Sequence, residues 1–599
     1  MKNFFASFLG TLAAAALLVT GLVVLTFGFI VAASSMKAPV APVENGAYLV
    51  FDLNANITDS PPAYEGLSPA ALLGGGDGAP TLQLRTVTRA LREAASDKRI
   101  AGVVLLGSLQ AEGYGSGFAV LSELRAALGN FKESGKPIVA YLDFATTRDL
   151  YLAAGATEVV LDPYGTLLVP GLASEPTFFA GAFERFGVGV QVTKVGDYKS
   201  YAEPFVRKDL SPENREQMQK LLGDLWGDLR ADMAADRKMT PEALQAVVDA
   251  EGLIRPASAL KAGLVDRLAY RDEVLTELKK STGRGDSDKP FKQIALADYA
   301  HSLSTDAEGG KKEIAVIYAE GAIVDGEGQL DEVGGARFAR ELRALRQDDD
   351  VKAIVLRVNS PGGSATASEH IQRELRLAGE VKPVIISMGS YAASGGYWIS
   401  AYGNRIFAEP TTITGSIGVV GIHFDIKKLA NDFGITFDSV KTAKHADLLT
   451  VSRPKTAEEL AIFQGMVEWI YGEFINKVAE GRHLDPEAVR KIAGGRVGSG
   501  REALKLGLVD ELGGLDAAIA HAAETANIAD DYQLVEFPRS QSFSEMLTAW
   551  LENVRRPEAT QSGVVAQVIA RVEEHAKALG QFNDPRGMYA RLPLEISVR

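Results

Sequence analysis

Ala259-Leu-Lys-Ala-Gly-Leu-Val-Asp266 returns as Ala503-Leu-Lys-Leu-Gly-Leu-Val-Asp510, 244 residues further along the chain. Upstream, Lys136-Pro137 before an apolar run is matched 246 residues on by Lys382-Pro383. Pro163, after Asp162, is matched 247 residues on by Pro410, after Glu409. The opening run Tyr48-Leu-Val-Phe-Asp-Leu53, with Ile57 and Asp59 beyond it, resembles Ile314-Ala-Val-Ile-Tyr-Ala319, with Ile323 and Asp325, at a shift of 266. The larger shift assigns extra residues to the first half, in the Pro/Gly-rich stretch from Ser60 to Pro80. Ordered matches at a nearly constant shift are the mark of a duplicated unit.

Within each copy, short apolar runs alternate with longer helical patterns. The first copy offers a strand at Ile100–Leu106, a helix through Phe118–Leu128, and a strand at Pro137–Leu142. The second offers Val351–Val358, a helix through Ser368–Leu377, and Pro383–Met388. Continuous Val/Ile/Leu strands separated by helices predict βαβ units around a largely parallel sheet buried on both faces, hence an α/β fold written twice. The polar, glycine-containing segment Lys280–Pro290 reads as the linker between the copies. The expected division is 1–36, 37–289, 290–540 and 541–599, the last with helical stretches near Phe543–Val554 and Val564–Leu579.

Composition narrows the functional classes. The 599 residues contain no cysteine, which removes thiolate nucleophiles and Cys-ligated metals. With 63 basic and 77 acidic residues the formal charge is −14, a poor match for nucleic acid, whose binding needs a basic face. Between Lys2 and Lys37 lies an uncharged apolar run, Phe4–Ala33. It is longer than a secretory h-region of about 7–15 residues and suits a single transmembrane anchor, although Ala33, Ser34 and Ser35 would also suit a cleavage site. The slight charge bias across it puts the main body outside the cytoplasm.

The unusual composition lies in the second copy. Arg357-Val-Asn-Ser-Pro-Gly-Gly-Ser364 ends an apolar strand in a glycine turn that leads into a helix. Ser387-Met-Gly-Ser-Tyr-Ala-Ala-Ser-Gly-Gly-Tyr-Trp398 repeats the arrangement, and Thr414-Gly-Ser-Ile-Gly-Val-Val-Gly421 follows. Ligand sites of parallel sheets lie beyond the carboxyl ends of the strands, where both turns fall. Glycines let backbone N–H groups approach a ligand and face developing negative charge. Ser394, between Ala393 and Gly395, sits as a nucleophile does at a strand-to-helix elbow. No phosphate-loop pattern occurs, and Gly113-Tyr-Gly115-Ser-Gly117 is too loose for a dinucleotide fingerprint. None of the seven histidines pairs at the i, i+4 spacing of a helical zinc site. A serine needs a base, and the residues leave two open: a histidine brought close in space, or a lysine whose pKa burial depresses.

The elements Asn359-Ser-Pro-Gly-Gly-Ser364, Ala392-Ala-Ser-Gly-Gly-Tyr-Trp398 and Thr414-Gly-Ser-Ile-Gly418, after an N-terminal anchor, resemble the signal peptide peptidase A family, in its long duplicated bacterial form. That family has the Clp protease/crotonase-like fold of stacked ββα units. The resemblance implies a Ser-Lys serine endopeptidase with Ser394 as nucleophile. It implies Lys199, in Lys194-Val-Gly-Asp-Tyr-Lys199-Ser-Tyr-Ala-Glu-Pro-Phe205, as general base. It also implies Gly363 and Gly395 as oxyanion N–H donors, and Ser416 as the residue that orients the lysine. It implies no cofactor and no metal. Its substrates are cleaved signal peptides, its setting the bacterial inner membrane with a single pass and a periplasmic body, and its assembly a tetramer. Two other classes share parts of this pattern: a crotonase-like acyl-CoA enzyme and a catalytically inactive membrane-tethered scaffold.

The repeat adds an argument of its own. At a shift of 247, Ser394 falls on Thr147, and Gly395 and Gly396 on Arg148 and Asp149, so the first copy has no nucleophile turn. Lys199 falls on Ala446, so the second copy has no base. Two half-sites are expected to combine into one. Lys194, Lys441 and Lys444 are the nearest competitors for the basic role.

Overall fold

The computed structural model describes residues 42–62, 80–285, 287–303, 312–529, 531–538 and 588–592. The apolar run Phe4–Ala33, most of Ser60–Pro80 and the two helical stretches expected after residue 541 lie outside the described residues. Among the described residues no helix is long and apolar enough to cross a membrane.

Both copies form the mixed α/β architecture that their apolar runs predict. In the first, Ala47–Asp52, Ile100–Leu106, Ile138–Thr146 and Glu158–Leu168 pair in that order, all parallel. In the second, Glu313–Glu320, Val351–Ser360 and Val384–Ala393 pair in parallel, and Val384–Ala393 carries Arg405–Ala408 and Ile413–Gly415 on its far side. Each sheet gains a late edge strand beside its first one: Gln293–Ala295 joins Ala47–Asp52, and Gln533–Phe537 joins Glu313–Glu320. The helices Phe118–Glu133 and Ala365–Gly379 extend the sequence-predicted spans at their C-terminal ends, and the linker begins later than expected, because Lys280 and Ser281 still belong to the helix Arg271–Ser281.

The runs are apolar on both faces because both are covered. Leu49, Val103, Leu105 and Ala140 enter one core with Val87, Leu91 and Leu124 of the flanking helices, while Val104 and Tyr141 face a second layer with Val274 and Leu278. The second copy repeats the division: Ala315, Ile354 and Ile386 face one core, and Ile314, Val355 and Ile385 the other. At about 25 cal/mol per Å² of apolar surface removed from water, such two-sided burial is the main favourable term holding each sheet.

A third sheet is shared between the copies and carries the site. Its order is Val333–Gly334, Ile323–Val324, Gly362–Ser364, Met588–Arg591, Val420–Asp425 and Gly189–Lys194. Gly189–Lys194 belongs to the first copy and pairs antiparallel with Val420–Asp425 of the second, from Lys194 opposite Val420 to Gly189 opposite Asp425. This pairing delivers the residues after Lys194 to the carboxyl ends of the second copy's strands.

Candidate active site

Ser394 follows the last residue of the strand Val384–Ala393 and precedes the short helix Gly395–Ser400. Its backbone is at φ 57° and ψ −112°, a conformation costly for a residue with a side chain. Hydrogen bonds hold it there: Ser394 N donates to Gly415 O at 2.8 Å, and Trp398 N donates to Ser394 O at 2.8 Å. Ser416 is also at positive φ, 53°, and its N–H donates to Arg496 O at 2.6 Å. The strain at Ser394 turns its Oγ out of the sheet, where Lys199 meets it.

Lys199 Nζ lies 2.7 Å from Ser394 Oγ, although 195 residues separate them in the chain. The amine is also 3.1 Å from the Ser416 carbonyl oxygen and 3.0 Å from Ser416 Oγ. A neutral amine has two N–H donors and one lone pair. When both donors are directed at the two Ser416 oxygens, the lone pair is left to face Ser394 Oγ. Lys199, Ser394 and Ser416 are each 0% exposed. Burial holds the Lys199 amine well below its ordinary pKa range, and among the described residues no carboxylate restores it.

The neighbours of Lys199 fix its backbone to both copies. Tyr198 N donates to Gly494 O at 3.1 Å. Gln217, buried on the long helix Pro212–Asp236, donates to Tyr198 O at 3.0 Å and to Ser200 Oγ at 3.1 Å, and accepts from Val497 N at 3.2 Å. Glu203 accepts from Ser211 N and Asn214 Nδ2, which ties the Glu203-Pro-Phe205 turn to the start of that helix. Gly495 packs directly on the lysine: a Cβ there would stand 2.6 Å from the N, Cα and Cβ of Lys199. Gly495→Ala is therefore expected to push the amine off Ser394 and lower kcat by about 10²-fold, as a 1 Å misplacement can. Gly46→Ala is the control. It has a comparable positive φ, 78°, with nothing within 4 Å, and its kcat should stay at the wild-type value in the same peptide assay.

Gly363 and Gly395 converge beside Ser394. A Cβ on Gly362 would lie 2.6 Å from Gly395 N, and one on Gly363 would lie 1.9 Å from Ile323 O, so neither position has room for a side chain. Asn359 holds the turn, donating from Nδ2 to Tyr114 O and Glu320 and accepting from Tyr391 N at 3.1 Å. Ser364 Oγ caps the following helix by accepting from Ala367 N. Five positions singled out in the sequence thus stand together: Lys199, Gly363, Ser394, Gly395 and Ser416.

The competing lysines are elsewhere. Lys194 is exposed at the end of its strand, Lys441 pairs with Asp447 at 2.6 Å, and Lys444 pairs with Glu458 at 2.5 Å. His423 is the one buried histidine among the described residues; its Nε2 lies 3.2 Å from Thr193 Oγ1, and burial, with Lys455 nearby, pushes it down to about 4. Thr147 begins the helix Thr147–Ala153 after the strand Ile138–Thr146, the same strand-to-helix step as Ser394, but there Thr146 and Asp149 form a helix cap. Ala446 lies in an exposed turn. Sequence reasoning missed Gln217 and Gly495, and also residues 588–592, which form a strand against Gly362–Ser364.

With the geometry in hand, comparison with known proteins is informative. The pattern described as peptidase family S49 matches residues 130–284 and again 376–529, once in each copy, and the Clp protease pattern matches 310–432. The chain is 36% identical over 562 residues to Protease 4 of Salmonella typhi, covering 90% of this chain and 89% of that protein. It is 34% identical over 521 residues to Protease 4 of Haemophilus influenzae, covering 84% of each. It is also 34% identical over 500 residues to the chloroplastic serine protease SPPA of Arabidopsis thaliana, covering 81% of this chain and 72% of that protein. Both copies match one family and the likeness runs through nearly the whole chain, so this protein belongs to peptidase family S49, with tandem S49 domains of the Protease 4/SppA kind.

Proposed function

We propose that this serine peptidase works through a Ser394–Lys199 dyad assembled from its two copies. The observation that carries the proposal is the 2.7 Å approach of Lys199 Nζ to Ser394 Oγ, with both groups buried and the amine within hydrogen-bond reach of both Ser416 oxygens. Neutral Lys199 takes the Oγ proton as Oγ adds to a peptide carbonyl carbon. The N–H groups of Gly363 and Gly395 hold the oxyanion, a contribution of about 3–4 kcal/mol for one such donor. The C–N bond then breaks, the lysine returns its proton to the leaving amine, and water, deprotonated by the same lysine, hydrolyses the acyl-serine. No step calls for a cofactor or a metal.

The substrates are apolar peptides, of the kind that signal peptides become once cut from exported proteins. The apolar strands around the site support this: Ile323 pairs with Gly363, Val420 and Ile422 lie on the strand paired with Gly189–Lys194, and all three are buried. The run Phe4–Ala33 anchors the chain in the bacterial inner membrane with the catalytic body on the periplasmic side, where such peptides remain, and the enzyme assembles as a tetramer.

The test is the pH profile of kcat/KM on an apolar reporter peptide. Below its depressed pKa Lys199 is protonated and cannot accept a proton, so the rate should fall about tenfold per unit as pH falls. Above it the rate should be flat, with the plateau reached well before the ordinary lysine value of about 10.4. A rate still climbing beyond pH 10.4 would show an ordinary lysine and overturn the assignment.

A further inference from the structure

Lys199 lies in a stretch without regular structure, between the strand Gly189–Lys194 and the short helix Glu203–Val206. Its own N–H makes only a long bond, 3.4 Å to Gly196 O, so the turn does not fix itself. Gln217, on the helix Pro212–Asp236, brackets the lysine with one nitrogen. Its Nε2 lies 3.0 Å from Tyr198 O on one side of Lys199 and 3.1 Å from Ser200 Oγ on the other. The same nitrogen is 3.0 Å from Asn214 Oδ1, which holds the amide within its own helix. Gln217, Ser200 and Asn214 are all buried, where a lost hydrogen-bond partner is not replaced by water.

The other end of the amide reaches the second copy. Gln217 Oε1 accepts from Val497 N at 3.2 Å, and the same peptide unit presents its carbonyl, Arg496 O, to Ser416 N at 2.6 Å. Ser416 in turn meets the lysine amine with its carbonyl oxygen and its Oγ. A circuit therefore closes through the amine, Ser416, the 496–497 peptide, the Gln217 amide and residues 198–200. Hydrogen bonds in series through one peptide unit polarise one another, so each link stiffens the next. Ser394 is referenced to the same strand: its N–H donates to Gly415 O, and Gly415 pairs with Val497. Glu216, beside Gln217, ties the same two segments from outside, accepting from Tyr198 OH at 3.1 Å and from Arg496 Nη2 at 2.6 Å.

We propose that Gln217 is a positioning residue of the reaction: its buried amide sets the main chain of Lys199 against the 496–497 peptide and so keeps the amine between Ser416 and Ser394. The proposal rests on the Ser394–Lys199 assignment. Gln217 bonds neither reacting side chain, and its effect runs through geometry. Without it the 198–200 turn is held by main-chain bonds alone, the amine loses its hold on the Ser416 oxygens, and water can enter a seat that is now closed.

The test is the pH profile of kcat and KM on an apolar reporter peptide, measured with the full chain. Gln217→Met keeps the length of the side chain and removes every bond of the amide. It is expected to lower the high-pH plateau of kcat about 10²-fold, as a misplacement of about 1 Å can, with KM within about twofold. Its acid limb should also move up by about one on the pH scale, because an amine that gains water recovers part of its ordinary range. Gln219→Met, an exposed position on the same helix, should keep the wild-type profile. A wild-type plateau in Gln217→Met overturns the proposal. So does a lowered plateau with the acid limb unmoved, since a merely structural role reduces the amount of folded enzyme and leaves the pKa of the remainder alone. If Gln217→Met does not fold, Gln217→Glu decides. It keeps the acceptor for Val497 N, but its carboxylate cannot donate to Tyr198 O. A plateau about 10²-fold down at an unchanged urea midpoint supports the proposal, and a wild-type plateau overturns it. Failure of the dyad reads differently, because it shows in the wild type itself as a rate still climbing beyond the ordinary lysine value of about 10.4.

Discussion

Ser394→Ala and Lys199→Ala should each lower kcat on an apolar peptide by about 10⁴–10⁶-fold, and the double variant should be scarcely worse than either single one. In the proposed mechanism nucleophile and base act in one step, so losing either loses the whole advantage of the pair. KM should change little, because neither substitution alters the strands Gly362–Ser364 and Val420–Asp425 that flank the site. The sharper case is Lys199→Arg. It keeps a positive charge and a long side chain, but guanidinium remains protonated at every working pH and cannot accept the Oγ proton. If Lys199 is the base, the arginine variant is as inactive as the alanine variant. More than about one part in 10² of wild-type kcat in Lys199→Arg would mean the lysine contributes charge rather than proton transfer, and the dyad would have to be abandoned.

Much of this was legible in the sequence, for identifiable reasons. The strands Ile100–Leu106 and Val351–Ser360 are continuous apolar runs because they are buried on both faces, and such runs announce themselves locally. Ser394 also carries a local signal, since the twin glycines after it reflect a turn with no room for side chains. Lys199 carries none. The basic role proposed for it depends on burial against Gly418 and Gly495 and on Ser416, all more than 200 residues away, so only the family motif singled it out. Asp59 stands in the repeat, but its partner Arg357 is 298 positions on, and nothing in either neighbourhood forecasts the pair. Residues 588–592 are least legible of all. Met588-Tyr-Ala-Arg591 has no strand pattern and becomes a strand because two strands offer it a seat.

Arg357→Met should destabilise the protein by about 3–5 kcal/mol at pH 8, and the deficit should shrink as pH falls toward 5. Arg357, at the end of its strand in the second copy, is 0% exposed. Its Nε donates to Asp59 at 2.8 Å and its Nη2 to Glu123 at 2.5 Å, both in the first copy, while Nη1 donates to Ser387 at 2.8 Å. One guanidinium thus joins the copy that supplies Lys199 to the copy that supplies Ser394. Burial already pushes Glu123 up to about 7, against the pull of Arg357, and burial with the charge of Asp59 pushes nearby Glu320 up to about 7. Without the arginine, Glu123 would lose the charge that now pulls its pKa down, and its folded-state pKa would rise further above the unfolded one. A carboxyl whose folded pKa is raised contributes its stability below the unfolded value and loses it as pH rises through the folded value. The variant's deficit must therefore grow with pH, by at most about 1.4 kcal/mol per unit for each group that titrates. Adding Glu123→Gln to Arg357→Met should recover part of the loss at pH 8 and little at pH 5. Urea midpoints of wild type and both variants at the two pH values decide it. A deficit that is flat with pH, or larger in acid, would mean that the guanidinium is held for its shape and packing, and that the copies are joined by their apolar contacts and the shared sheet instead.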